Sequence, residues 1–98
     1  MSSKIIQEGE ALIHIPVQTK ISKKLPVFYN SVMKENRDIS ILLLNSIKRN
    51  NLQIALPLSG TGIRGIRFIL ELNKDKVKYI YFNDYSDKAI SLIKKNIK

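Results

Sequence analysis

Residues 60 to 65 read Gly-Thr-Gly-Ile-Arg-Gly, a G-x-G-x-x-G pattern, and Asp84 follows the last of these glycines by 19 residues. The apolar run Leu52 to Leu58 precedes the pattern, and Gly62 to Asn73 continues it with Ile63, Ile66, Ile69 and Leu70 at helical spacing. A strand that halts at a glycine turn and passes into a helix offers backbone N–H groups and a positive helix end to an anion. An acid closing the next strand, here Val77 to Phe82 followed by Asn83-Asp84, is placed to accept ribose hydroxyls. The chemistry implied is the holding of a nucleoside-containing ligand.

Two arginines sharpen that reading. Arg64 falls in the first turn of the helix after the glycines, and Arg37 in the first turn of an earlier helix spanning Asn36 to Arg49. A cation opposes the helix dipole at that end and calls for a compensating anion. For Arg37 the compensation could come from Asp38 or from a ligand. For Arg64 a methionine carboxylate or a pyrophosphate would serve. Arg67 has a simpler account, because Glu71 lies four residues on along the same helix. A dinucleotide fingerprint keeps its strand apolar up to the first glycine, whereas Pro57 and Ser59 interrupt this one, which favours S-adenosylmethionine over a nicotinamide dinucleotide.

The elements that must position these residues are legible in outline. Lys4 to Gln7 and Ala11 to Val17, around Glu8-Gly9-Glu10, form a β-hairpin flap, with His14 on the face opposite Ile13 and Ile15. Gln18 to Lys24 is a polar connector. In Leu25 to Asn30 the adjacent Phe28 and Tyr29 point to opposite sides of an extended segment, so that one can be buried and the other offered for stacking on a base. From Asn36 to Arg49 the apolar residues Ile39, Leu42, Leu43 and Ile47 fall at helical spacing, and the basic Lys48 and Arg49 with the breakers Asn50 and Asn51 mark the helix C-terminus. Ser86 is the N-cap of a last helix that turns Ile90, Ile93 and Ile97 inward.

The order helix, β, α, β, α is α/β and corresponds to the first half of a doubly wound, Rossmann-like parallel sheet. Two parallel strands leave open edges, and such sheets are normally covered on both faces. The expected organisation is a hairpin and connector over residues 1–24 and half of a sheet domain over 25–98, completed by further chain or by a second chain.

The 98 residues carry 17 Lys and Arg against 8 Asp and Glu, a net charge of +9 that suits a polyanion such as RNA. Thirteen of the cations are scattered lysines, which serve solubility as well. Cysteine is absent, which removes disulfides, thiolate metal sites and a cysteine nucleophile. No apolar run approaches a membrane span, and Glu8 and Glu10 stand where a secretory signal needs its apolar core, so the expected compartment is the cytoplasm.

The segments IQEGEALIHIP, PVFYN, NRDI, LSGTGIRGIRF and FNDYSDKAISLIKKN, in this order and spacing, resemble the N-terminal part of archaeal tRNA guanine-N2 dimethyltransferases. That resemblance implies transfer of methyl groups from S-adenosylmethionine to the exocyclic amine of the guanine at tRNA position 26, on a Rossmann-like methyltransferase fold. It further implies that Arg37, Arg64 and Asp84 contact the methyl donor, that Gly60, Thr61 and Gly62 shape the turn, and that Phe28 lies near the target guanine. The family's D-P-F-G catalytic block and tRNA-binding domain would fall beyond residue 98, leaving no catalytic residue in this chain and no metal site. Two positions depart from the pattern: Leu56 stands where the first strand usually carries an acid, and Leu58 where the wider class often has its first glycine. A non-catalytic RNA-binding or assembly module is the alternative that the charge supports.

Overall fold

The computed structural model describes residues 3–16 and 29–97, so the connector, Val17, and Leu25 through Phe28 lie outside the described residues. Strands β1 (Ser3–Glu8) and β2 (Ala11–Pro16) form an antiparallel hairpin whose register runs from Ser3↔Pro16 to Glu8↔Ala11, closed by Gly9-Glu10. A 3-10 turn over Ser31–Met33, capped by the Asn30 side chain on the Val32 N–H, leads into α1 (Lys34–Ser46). Then come β3 (Leu52–Leu56), α2 (Ile63–Glu71), β4 (Val77–Phe82) and α3 (Asp87–Ile97). Strands β3 and β4 pair in parallel from Leu52↔Val77 to Leu56↔Phe82, the two-stranded parallel arrangement expected of the second half of the sequence.

The hairpin is no flap. Period-two alternation places Ala11, Ile13 and Ile15 on one face, and Ala11 and Ile13 are 0% exposed. That face packs on Ile63 and Ile66 of α2, with Ile6, Tyr29 and Phe82 around it, so the hairpin supplies half of the main core. Helix α2 approaches the sheet closely because Gly65 has no side chain. A Cβ there would stand 2.8 Å from Leu56 Cδ1 and closer still to the Phe82 ring.

The helices depart from the expected faces. In α1 the inward residues are Arg37 and Ile41, while Ile39, Leu42, Leu43 and Ile47 are all exposed, Leu42 by 68%. A buried ionic contact described below takes the Arg37 side of the helix inward, and the apolar stripe is left outward. The helix also stops at Ser46, short of Lys48 and Arg49, because Ile47 is extended. The cation at its end is instead the buried Lys76, whose Nζ donates to the carbonyls of Ile47 and, at 2.9 Å, Arg49.

Strand β3 ends at Leu56, two residues early: Pro57 has no N–H for the ladder, and the Ser59 hydroxyl donates to the Leu56 carbonyl. Helix α2 is not buried all round, since Ile69 and Leu70 are exposed. In α3 the buried residues are Ala89, Leu92, Ile93 and Asn96, with Ile97 exposed. Asn96 rotates the helix this way. Its amide is taken up by the hairpin and the glycine turn, receiving the His14 N–H at 2.7 Å and donating to the carbonyls of His14 and Thr61 at 3.0 and 2.8 Å.

One carboxylate ties the two halves together. Glu8, at the end of β1, accepts from Arg37 Nε and Nη2 at 2.7 and 2.6 Å, from the Tyr29 hydroxyl at 2.7 Å and from Arg67 Nη1 at 2.9 Å. Arg67 also donates to both oxygens of Glu71, as its spacing predicts, and lies 2.6 Å from Asp38 Oδ1. The Asp38 contact is an ion pair without hydrogen-bond alignment. Burial alone would raise the Glu8 carboxyl. The hydrogen bonds from Arg37 and Tyr29, the charge of Arg37 and the hydrogen bond from Arg67 outweigh it and bring the group from 4.5 to about 2.

A carboxyl held below its unfolded value stabilises fully above that value and loses its contribution as the pH falls through the folded one. Glu8→Gln is therefore expected to cost about 3 to 5 kcal/mol at neutral pH, the usual penalty for removing one partner of a buried pair. The gap between wild type and variant should close as the pH is lowered from about 4.5 to about 2. Thermal melts across that window check both points, and a gap that did not change with pH would contradict the assignment. Gly65→Ala is expected to destabilise by about 1 to 3 kcal/mol through overpacking against Leu56 and Phe82. Denaturant titration reads this out, and an unchanged midpoint would show that α2 can back away from the sheet.

Candidate functional site

The glycine turn is braced on three sides. From β4's end, Asp84 accepts the Gly60 N–H at 2.9 Å through Oδ2 and the Ser86 N–H at 3.0 Å through Oδ1. From within the turn, Gly62 N–H donates to the Ser59 carbonyl and Ile63 N–H to the Thr61 hydroxyl. From α3, Asn96 holds the Thr61 carbonyl. Gly62 occupies the N-cap of α2 at φ +87°, left-handed backbone that a side chain would strain. Several N–H groups of the turn are thus engaged internally, and the turn's main offering to a ligand is shape and close backbone approach.

A cavity of about 380 Å³ opens beside this turn, floored by Leu56 through Thr61 and walled by Tyr29, Asn30, Met33, Arg37, Ile63 and Arg64. Of the residues singled out from the sequence, Arg37, Arg64, Gly60 and Thr61 line it together. Gly62 and Asp84 do not line it; Asp84 is half-buried, with a hydrogen bond on each oxygen and lone pairs left on both. Phe28 lies outside the described residues, while its neighbour Tyr29 stands under the Arg37 guanidinium, 5.2 Å from ring centre to Cζ, with its hydroxyl on Glu8. Burial and the bond to Glu8 raise the Tyr29 phenol, which keeps it a neutral donor.

The two cavity arginines are held differently. Arg64 donates Nη1 to the Ser40 hydroxyl at 2.8 Å and Nη2 to the Asn36 side-chain oxygen at 2.7 Å, both from α1. Neither partner carries charge, and burial with the nearby Arg37 charge lowers its pKa, so Arg64 sits where an incoming anion would be welcome. The compensation at Arg37 is Glu8, a residue 29 positions upstream, while Asp38 turns to Lys34 and Arg67. Reading Arg37 against its local neighbours could not have found this, since the partner comes from another element. Glu8 and Asn96 are the functional neighbours that sequence reasoning missed. The one signal for Glu8 was a carboxylate on the same strand face as Ile6, and thus inward.

Among the described residues lining the cavity there is no carboxylate or imidazole. The arrangement can hold and orient a ligand that carries a carboxylate or other anionic group, and its described lining has no carboxylate or imidazole to take a proton.

The chain is similar to known proteins over nearly its whole length. Residues 4–98 match the family model described as N2,N2-dimethylguanosine tRNA methyltransferase. The chain is 42% identical over 99 residues to the tRNA (guanine(26)-N(2)/guanine(27)-N(2))-dimethyltransferase of Aquifex aeolicus, covering 97% of this chain and 25% of that protein. It is 46% identical over 93 residues to the tRNA (guanine(26)-N(2))-dimethyltransferase of Pyrobaculum islandicum, covering 93% of this chain and 26% of that protein. The structure of Trm1 from Pyrococcus horikoshii with S-adenosyl-L-methionine superposes with a TM-score of 0.79 at 41% identity, covering 96% of this chain and 23% of that one. The chain spans about a quarter of the length of the curated relatives it matches. It shares with that structure an α/β fold in which a hairpin precedes a parallel sheet, and it belongs to the N2,N2-dimethylguanosine tRNA methyltransferase family.

Proposed function

We propose that this chain forms the methyl-donor-binding part of a tRNA (guanine-N2)-dimethyltransferase that modifies guanine 26. The observation that carries the proposal is the convergence of Arg37, Arg64, Gly60 and Thr61 on one cavity, in a fold similar to that of a protein determined with S-adenosyl-L-methionine. The residues present fit that ligand. Two guanidinium groups suit the methionine carboxylate, and the lone pairs left on Asp84 suit ribose hydroxyls. The tight turn admits the ligand's close approach. S-adenosylmethionine supplies the methyl group on an electrophilic sulfonium; Arg37 and Arg64 orient it by its carboxylate and Asp84 by its sugar.

The acceptor amine of guanine is a weak nucleophile whose proton must be removed, and the cavity's described lining holds no base for that step. Residues outside this segment, in the same polypeptide or in a second chain, carry the proton transfer and share the recognition of tRNA with it. Phe28 is assigned to stacking near the target guanine, which must leave its base stack to react. The +9 charge serves the tRNA backbone, and the compartment is the cytoplasm.

The test is a polypeptide in which residues 1–98 replace the matching segment of the Aquifex aeolicus relative, titrated with S-adenosylmethionine by calorimetry. Arg64→Ala and Asp84→Ala are each expected to weaken donor binding about 10- to 100-fold, the loss typical of a charge-assisted hydrogen bond, while leaving tRNA affinity unchanged. Donor affinity unaffected by both substitutions would remove the site assignment. Binding of tRNA that falls steeply with salt, with no donor binding at all, would favour the non-catalytic RNA-binding module.

A further inference from the structure

Glu8 lies outside the glycine turn and off the cavity wall, on the hairpin that packs beneath α2, yet it controls a group that faces the cavity. Its two oxygens accept four donors, two of them from Arg37, so the carboxylate has no acceptor site left for a ligand. Its influence is on its partners.

The hydrogen-bond inventory of Arg37 shows what that influence is. The guanidinium has five N–H groups. Nε and one hydrogen of Nη2 are fixed by Glu8, and the other hydrogen of Nη2 goes to the Asn30 carbonyl at 3.0 Å. Among the described residues, Nη1 has no hydrogen-bond partner, and Arg37 lines the cavity beside Arg64 and Gly60. A bidentate contact fixes the plane of the guanidinium as well as its position, and Tyr29 supports that plane from one face. The two hydrogens of Nη1 are then the ones in reserve for an anion.

We propose that Glu8 is a positioning residue for donor binding: the hairpin carries it as a buried anchor that locks the Arg37 fork in the orientation that meets the donor carboxylate. The inference rests on the donor-binding reading of the cavity. The anchor is rigid because Glu8 is paired with Ala11 in the hairpin register and that face of the hairpin is core. Its side chain is 1% exposed, so it meets the guanidinium without competition from bulk water. Without the carboxylate, Arg37 would regain its rotamers and would stand uncompensated between Arg64 and Arg67. Donor binding would then include the cost of ordering it.

A double-mutant cycle on the same chimeric polypeptide separates positioning from simple structural support. Glu8→Asp keeps the charge but withdraws the carboxylate by one methylene, and circular dichroism establishes that the variant is folded. It is expected to weaken S-adenosylmethionine binding about tenfold, and to raise the donor KM with little change in kcat. In an Arg37→Ala background the same substitution is expected to have no further effect, because its action runs through Arg37. Glu8→Gln, measured at low temperature where it remains folded, is expected to show the same pattern. Wild-type donor affinity in both folded Glu8 variants, or an equal loss with and without Arg37, would overturn the inference. If Arg64→Ala and Asp84→Ala weaken binding while the Glu8 variants do not, the donor site stands and the anchor fails. Absence of donor binding by the unsubstituted chimera removes both.

Discussion

A carboxylate placed at the end of a hairpin strand, inside the protein, governs how the remaining elements are arranged. Glu8 cannot be left charged in a dry interior without partners, and its partners come from three separate places: Tyr29 before the first helix, Arg37 on α1 and Arg67 on α2. Once they are gathered, α1 has its Arg37 side turned toward the hairpin and α2 lies across it. Arg67 extends the contact to Glu71 and Asp38, and Glu71 in turn accepts the Glu10 N–H in the hairpin turn. Three carboxylates and two guanidinium groups thus form a nearly balanced set in which Glu8, Arg37 and Arg67 are buried and Asp38 and Glu71 reach the surface. A network of this kind contributes little net stability compared with an apolar core of equal volume. It does penalise any arrangement that leaves one member unpaired, and so selects one relative placement of hairpin and helices.

The glycine turn depends on that placement. Helix α2 must lie against both the hairpin and the sheet, and it can do so because Ile63 and Ile66 face Ala11 and Ile13 while Gly65 faces Leu56 and Phe82. The turn that starts α2 is then bound by Asp84 from one side and Asn96 from another. Asp84 illustrates how one group can serve fold and site together. Its hydrogen bonds to Gly60 and Ser86 join the turn to the start of α3, and the same bonds fix the direction of the lone pairs left over.

Much of this was legible in the residues. The β-α-β-α order, the hairpin and the strand-turn-helix around Gly60 follow from period and turn chemistry, which act over a few residues and so are written locally. The helix faces were not legible. The stripe of Ile39, Leu42, Leu43 and Ile47 has the spacing of a core face, but α1 turns it outward because the Glu8 contact takes Arg37 inward. Likewise α3 buries Asn96 and leaves Ile97 outside, because a hydrogen-bonded amide at the hairpin edge governs its rotation. In both cases a polar residue with a distant partner overrode an apolar period, and partners 29 and 82 residues away cannot be read from a window of neighbours. The cavity shows the same division: Arg64 and the glycines announced themselves, whereas the reason Arg37 can sit in a helix's first turn lay in another element.

The cavity is lined by Met33 and Leu58, both exposed, as well as by Arg37 and Gly60. The cavity therefore has two unlike sides. On one side Arg37 is held by the buried Glu8 and Gly60 by Asp84, so these groups are braced. Its rim is apolar and uncovered among the described residues. Groups that must orient a ligand belong on the rigid side, because orientation is lost with small displacements. A rim of exposed Met and Leu contributes in the opposite way, since apolar side chains adapt to what covers them and strengthen the electrostatics beneath once water is excluded. Braced charged groups beside an apolar rim would let one small segment orient a charged ligand while the closing of the site is left to whatever packs above it.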